Sequence, residues 1–478
     1  MNFDAIKLER YGHRPMYVQL YEQIECMIKN GDIQPGAKLP AIRELSKLLG
    51  INAVTVVKAY ELLEAGGSAF SKPGSGTYVS QSARASAMQE YMLPRGDVID
   101  FANFTPSPEL FPVQQFKTLI NEVLDRDAGK AFEYQDSRGY PPLREALSYY
   151  VGKSGIKANS DDIQVISGAQ QGIDVLAKAL AGFGDSIIME SPSYTGAIAA
   201  FRSRNIDIIG IPMQGDGLDT EMLEKRVREK RPSFIYVMTD FHNPTGVSYS
   251  LKKRERLLHI AERYDVYIVE DDYLSELNFS GEIMPSLKSM DKSDHVIYIK
   301  SFSKILMPGL RLGFMILPAR DDLYQKVLNA KQASDISTSG LMQRVLELYL
   351  KRDLWRDHIS LIYKEYKNRY DCIINALERY MPEQIKYHRP GGGMHIWCTM
   401  PQGCRDEDLY DQALKMGVAF APGSAFYPFS DVCRCFKLSF ASTDAGQIEA
   451  GIMALGKAAA DYIERRYKKN YGRYAPLL

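Results

Sequence analysis

The chain has 478 residues, 45 % of them hydrophobic, with 59 basic and 59 acidic side chains, which excludes a disordered chain and suits a globular protein of two to four structural units. A formal net charge of zero excludes a global field that would attract nucleic acid, so any such contact must come from a local patch. No apolar run approaches the roughly 20 residues of a membrane-spanning helix, and the opening MNFDAIKLERYGHRP mixes acids with bases, so the expected location is the cytoplasm.

Residues 1–80 carry their own punctuation. YVQLYEQIECMIKNG places Leu20, Ile24, Met27 and Ile28 at helical spacing and ends at Gly31. A short helix marked by Ile42, Leu45 and Leu49 follows, then a turn at Gly50. A second helix comes next, with Val56, Tyr60 and Leu63 on one face, closed by Gly66 and Gly67. This is helix-turn-helix spacing. SAFSKPGSGTYVS then offers two short strands around Pro73, Gly74, Ser75 and Gly76, whose glycines permit a sharp reversal, so the unit reads as a winged helix-turn-helix. A helical domain with a packing hairpin and no DNA is the plainer alternative on pattern alone. In MYVQLYEQI, PGAKLPAIRELSKLLGI, TVVKAYELLEAGG and PGSGTYV, in that order, the segment resembles the GntR-type winged-helix domain. The resemblance implies a double-stranded DNA operator as partner, contacted by Arg43, Thr55, Lys58, Lys72 and Gly76. Ala53 departs from the pattern, standing where such domains usually carry an arginine. That departure shifts the work of contact to Arg43, Lys58 and Lys72.

Residues 81–97, from Gln81, lack an apolar face and contain small polar residues and a proline, the composition of a linker.

From 98 to 478, apolar runs (SIIME, IDIIGIP, FIYVMT, VYIVED, HVIYIK, RLGFMILP) alternate with helical stretches such as EMLEKRVREK. Strand then helix, repeated, predicts an α/β fold with a largely parallel sheet covered on both faces and ligands at the carboxyl ends of its strands. DFHNPTG, EDDYLSE and SFSK follow three of those strands, so Asn243, Asp271, Tyr273 and Lys304 should converge on one crevice. Singly, each has a bland counterpart: a solvated lysine, a helix cap, a common turn. Together they suit one ligand. A lysine beside apolar walls can lose its proton and capture an aldehyde, and an aspartate can hold a pyridinium nitrogen. Asn243 and Tyr273 can serve a ring oxygen, and Ser301, Ser303 and Arg311 a phosphate. SGAQQGIDVLAKAL, from Ser167, opens a helix whose first amides bind anions. The ligand so described is pyridoxal 5′-phosphate (PLP). Cys26, Cys372, Cys398, Cys404, Cys433 and Cys435 are scattered, with no metal-ligand spacing, so reduced thiols and no metal are expected.

Residues from about 98 to 465 resemble the fold-type-I aminotransferases, in YQDSRGYPPLREAL, SGAQQGID, ESPSYTGA, NPTG, EDDY, SFSKILMPGLRLG and GVAFAPGSAFY. That resemblance implies a large domain and a smaller α+β carboxyl-terminal part. It makes Lys304 the Schiff-base lysine, Asp271 the partner of the pyridine nitrogen, Asn243 and Tyr273 contacts of the ring oxygen, and Tyr194 a stacking residue. It also implies that Ala169, Gln170, Ser301, Ser303 and Arg311 hold the phosphate, and that Tyr134 reaches the phosphate of a partner subunit, hence a homodimer. With the amino-terminal unit, nearly the whole chain resembles the MocR family of transcriptional regulators. One departure bears on function: in CFKLSFAST, Lys437 stands where aminotransferase-like proteins hold a substrate carboxylate with an arginine. Lysine lacks the planar bidentate fork. The expectation is a PLP-binding regulator with a vestigial catalytic domain, sensing an amine or amino-acid-type effector or PLP itself at Lys437, with His395 as another candidate contact. An active aminotransferase with an appended winged helix is the alternative. The basic, tyrosine-rich tail ERRYKKNYGRYAPLL reads as a solvated helix end or a supplementary phosphate contact.

Overall fold

The computed structural model describes residues 3, 6, 8, 15–29, 32, 33, 36–65, 68–72, 75–79, 98–428 and 433–471, with backbone alone at 29, 65, 72, 321 and 467–471. Two compact units emerge, Met1–Leu93 and Pro94–Leu478. The expected linker at 81–97, the hairpin residues Pro73 and Gly74, and the tail beyond 471 lie outside the described residues.

In the first unit, α1 (Met16–Lys29), α2 (Ile42–Leu49) and α3 (Ala53–Ala65) precede β1 (Ala69–Lys72) and β2 (Gly76–Val79). Leu20, Ile24, Leu45, Val56, Tyr60 and Leu63, the residues whose spacing marked three helices, join Leu39, Ala69 and Val79 in one buried core. Ile42 differs. It opens α2 and stays 37 % exposed, because the core meets that helix one turn later, at Leu45. Gly50 ends α2 at φ 61°, the left-handed conformation glycine adopts without strain. Asn52 then starts α3, its side-chain oxygen accepting the Val54 amide at 3.0 Å. β1 and β2 pair antiparallel from Ala69 opposite Val79 to Lys72 opposite Gly76, and Lys38 bridges Tyr78, which adds a third short edge. The result is a helix-turn-helix with a wing.

The second unit contains β3 (Ile99–Phe101), β4 (Ile163–Ile166), β5 (Ser186–Ser191), β6 (Asp207–Gln214), β7 (Gly217–Leu218), β8 (Phe234–Val237), β9 (Tyr267–Asp272), β10 (Val296–Ser301), β11 (Gly313–Ile316), β12 (Lys386–Tyr387), β13 (His395–Thr399), β14 (Val418–Pro422) and β15 (Cys435–Ser439). Eight form one sheet in the order β4-β11-β10-β9-β8-β5-β6-β7, and five form a smaller sheet, β12-β13-β15-β14-β3. In the large sheet β10, β9, β8, β5 and β6 run parallel. The buried, nearly continuous apolar runs of β10, β9, β8 and β5 follow from helices covering both faces, while β6, nearer the sheet edge, is only partly buried. β11 runs antiparallel to both β10 and β4. A strand opposed to β10 begins where β10 ends, so the loop leading into β11 brings Arg311 to the same sheet edge as Ser301, Ser303 and Lys304. β4 ends at that edge too and delivers Ser167 and Gly168 to the helix Ala169–Leu180. Among the described residues no helix is long and apolar enough to cross a membrane.

Candidate active site and DNA-binding face

Phe104, just after β3, is the hub that no local signal in the sequence marks. The Lys304 amine lies 4.5 Å from the centre of its ring and donates to its carbonyl oxygen. The Lys437 amine lies 4.6 Å from the same ring centre and 4.8 Å from that of Phe426. Tyr273 and His395 pack on Phe104 at centroid distances of 6.0 and 5.4 Å. Burial among these rings brings the Lys304 amine down to about 8. Lys437 falls further, to about 7, through burial and the repulsion of the Lys304 charge. Lys437 reaches Asn243 Oδ1 at 3.3 Å. Two amines of lowered basicity therefore meet one aromatic residue, one after β10 and one on β15; Lys437 is about half unprotonated near pH 7, whereas Lys304 stays mostly protonated there.

Asp271 ends in a buried carboxylate. Its Oδ2 accepts the Tyr236 hydroxyl at 2.6 Å, and its Oδ1 has no hydrogen-bond partner among the described residues. Desolvation raises this carboxyl to about 6, against the pull of the Tyr236 hydrogen bond. An orphaned, buried acceptor costs free energy until a donor meets it. A protonated ring nitrogen is such a donor. Nearby, burial and the Asp271 charge raise the Tyr194 phenol to about 12 while Arg311 opposes the shift, so Tyr194 lies within electrostatic range of both. The Tyr194 hydroxyl donates to Gln170 Oε1 at 3.2 Å.

At the opening of the helix Ala169–Leu180, the free first amides of any helix end attract anions. Arg311 donates to the Ser167 carbonyl at 2.9 Å, and Ser301 donates to Ser303 at 3.0 Å. Gly168 sits at φ 88° and ψ 163°, and a Cβ there would come within 2.9 Å of the Arg311 guanidinium. Gly168→Ala is expected to cost about 1–3 kcal/mol in backbone strain and to displace Arg311, lowering both the melting temperature and PLP retention on dialysis.

The structure thus brings together Lys304, Lys437, Asn243, Tyr273 and His395 around Phe104, and Asp271, Tyr194, Gln170 and Arg311 around the helix opening. Tyr273 turns its hydroxyl to the Phe241 carbonyl. His395 is 1 % exposed and held uncharged by burial and by Lys437, with Nε2 bonded to the His242 carbonyl at 3.3 Å. It can offer hydrogen bonds to an effector, not an ion pair. Tyr134 is 84 % exposed, and no hydrogen bond joins it to the group among the described residues. In the first unit Arg43, Lys58 and Gly76 are exposed and Thr55 is half-buried. The Lys58 amine rests 5.4 Å from the centre of the Tyr17 ring. The side chain of Lys72 lies outside the described residues.

A lysine, a buried aspartate and an anion cradle at the carboxyl edge of such a sheet, preceded by a winged helix, define an aminotransferase-like domain joined to a DNA-binding domain. The family described as aminotransferase class I and II matches residues 103–455, and the bacterial regulatory proteins of the gntR family match residues 16–79. The kynurenine aminotransferase of Pyrococcus horikoshii, solved in complex with PMP, superimposes with a TM-score of 0.76 at 34 % identity, covering 82 % of this chain and 97 % of that one. The uncharacterised HTH-type transcriptional regulator YdfD of Bacillus subtilis is 31 % identical over 92 % of this chain and 96 % of its own. The probable rhizopine catabolism regulatory protein MocR of Rhizobium meliloti is 29 % identical over 94 % and 95 %. The chain belongs to the class I and II aminotransferase family and, with its GntR-type domain, to the MocR-type DNA-binding transcription regulators within it.

Proposed function

We propose that this regulator is a cytoplasmic homodimer that binds PLP in its second unit and uses the occupancy of that site to bias DNA binding by its first. The observation that carries the reading is the buried Asp271 Oδ1, without a hydrogen-bond partner among the described residues, within a site that also holds a lysine of lowered basicity. When bound, PLP supplies an aldehyde for amines and a ring that takes up electrons. Lys304 would hold the aldehyde carbon, and Asp271 would hold the ring nitrogen proton. Tyr194 would cover the ring face, and Asn243 and Tyr273 would serve the ring oxygen. Ala169, Gln170, Ser301, Ser303 and Arg311 would hold the phosphate, with Tyr134 supplied to the partner copy. The effector, an amine, an amino-acid-type molecule or PLP itself, would meet Lys437 and His395. A ligand preferring one state of the protein moves the equilibrium by no more than its differential affinity for the two.

Sequencing the genomic fragments retained by the full chain with and without PLP tests the whole reading. Fragment sets identical in sequence and affinity would refute the coupling. Asp271→Asn is expected to weaken PLP retention about ten- to a hundredfold, since a charge-assisted hydrogen bond contributes roughly 1.5–3 kcal/mol, read by dialysis against free PLP. On the DNA side, Arg43→Ala and Lys58→Ala should each lower the slope of log affinity against log salt by about one unit across all sequences, and unchanged slopes would move the contact to another surface. The second reading, an active aminotransferase, is favoured by the complete lysine and aspartate pair. Multiple-turnover assays with amino and keto acids decide between the two.

A further inference from the structure

The outward face of α3 is set by its period. Val56, Ala59, Tyr60 and Leu63 are buried, which leaves Val54, Lys58 and Glu61 exposed with Val57 half-buried among them. Val54 is 58 % exposed in the first turn. A helix that reads the major groove meets base edges with its amino-terminal residues. Guanine and adenine are recognised there by side chains offering two hydrogen bonds, chiefly Arg, Lys, Asn and Gln. Ala53, Val54 and Val57 offer none. Asn52 precedes them, but its side-chain oxygen accepts the Val54 amide at 3.0 Å, which folds that side chain back onto the helix end as a cap. The groove group that an apolar side chain matches is the 5-methyl of thymine. The surrounding charges favour that placement. Arg43 on α2 and Lys58 one turn beyond Val54 are exposed cations suited to phosphates, while exposed Glu61 repels phosphates and confines close contact to the first two turns.

We propose that the protein reads its operator through thymine methyl groups, with Val54 and Val57 as specificity-determining contacts; the inference rests on the DNA-binding reading of this unit. The test enriches binding sequences from a randomised duplex pool with the full chain, then resynthesises the selected duplex with deoxyuridine at each thymine in turn, which removes the methyl alone. At one or two positions per half-site the wild type is expected to lose about fourfold in affinity per methyl, the equivalent of about 0.8 kcal/mol. Val54→Ala should weaken binding to the thymine duplex by a similar factor and lose its sensitivity to deoxyuridine at one position. Val54→Thr, which keeps a methyl, should retain that sensitivity, and the salt slope should stay unchanged in both. Selected sites anchored on guanine and indifferent to deoxyuridine, or equal deoxyuridine losses in wild type and Val54→Ala, would overturn the inference while leaving DNA binding intact. Failure to enrich any sequence would overturn both.

Discussion

Lys304→Ala is expected to abolish covalent PLP attachment. The wild-type protein treated with PLP and borohydride should yield one labelled peptide, containing Lys304, and the variant should yield none. The physical basis is the neighbourhood of the amine, which burial beside Phe104 brings down to about 8, so that roughly a tenth of it is unprotonated at pH 7, far more than for a solvated lysine. The sharper part of the test is the neighbouring Lys437. It is even less basic, at about 7, and its amine lies 4.6 Å from the centre of the same ring. A reducible adduct that survives in Lys304→Ala and maps to Lys437 would sink the assignment of roles. Residual non-covalent binding in the variant is compatible with it, because Asp271 and Arg311 remain.

Lys437→Arg is expected to improve capture of common α-amino and α-keto acids by about ten- to a hundredfold. An arginine fork makes two parallel charge-assisted bonds to a carboxylate, each contributing roughly 1.5–3 kcal/mol, whereas lysine presents a point charge. Here the lysine also loses much of its charge. At 2 % exposure between Phe104 and Phe426, Lys437 is half-protonated at about pH 7. Protonation is what attracts an anion, so wild-type capture of carboxylates should strengthen as pH falls through 7 and weaken as it rises. The arginine variant, charged throughout, should lack that dependence. Titrations of the cofactor spectrum with a panel of amino and keto acids from pH 6 to 9 read both effects. Brisk multiple turnover by the wild type would refute the sensor reading and favour the enzyme.

A sensor benefits from this arrangement for a reason that catalysis does not. A site that released every amine as product would report flux, while one that holds its ligand reports concentration. On the proposed reading Lys437, whose amine meets the Asn243 amide oxygen at 3.3 Å, would supply a weak and pH-dependent hold on carboxylates in place of a strong one.

Local chemistry in the sequence was enough to mark the elements and to nominate the groups proposed to react. Leu20, Leu45, Val56 and Leu63 marked three helices by their spacing because a helix can bury one face only. NPTG, EDDY and SFSK marked the site because each closes an apolar run that has to be a buried strand, and parallel strands bring their ends to one edge. Those inferences need only periodicity and strand direction. What periodicity cannot express is proximity between distant segments, and the tertiary structure alone decided that. β11 reads like its parallel neighbours yet runs against them, since both faces of either kind of buried strand are apolar. Phe104 lies 200 positions from Lys304 and 333 from Lys437, in an unremarkable FANFTP, and becomes the hub only when β3 joins the small sheet beside β14. The Tyr236 hydroxyl beneath Asp271, the uncharged state of His395 and the lowered basicity of both lysines likewise follow from burial. Burial is a property of the packed chain, and no single segment of the sequence carries it.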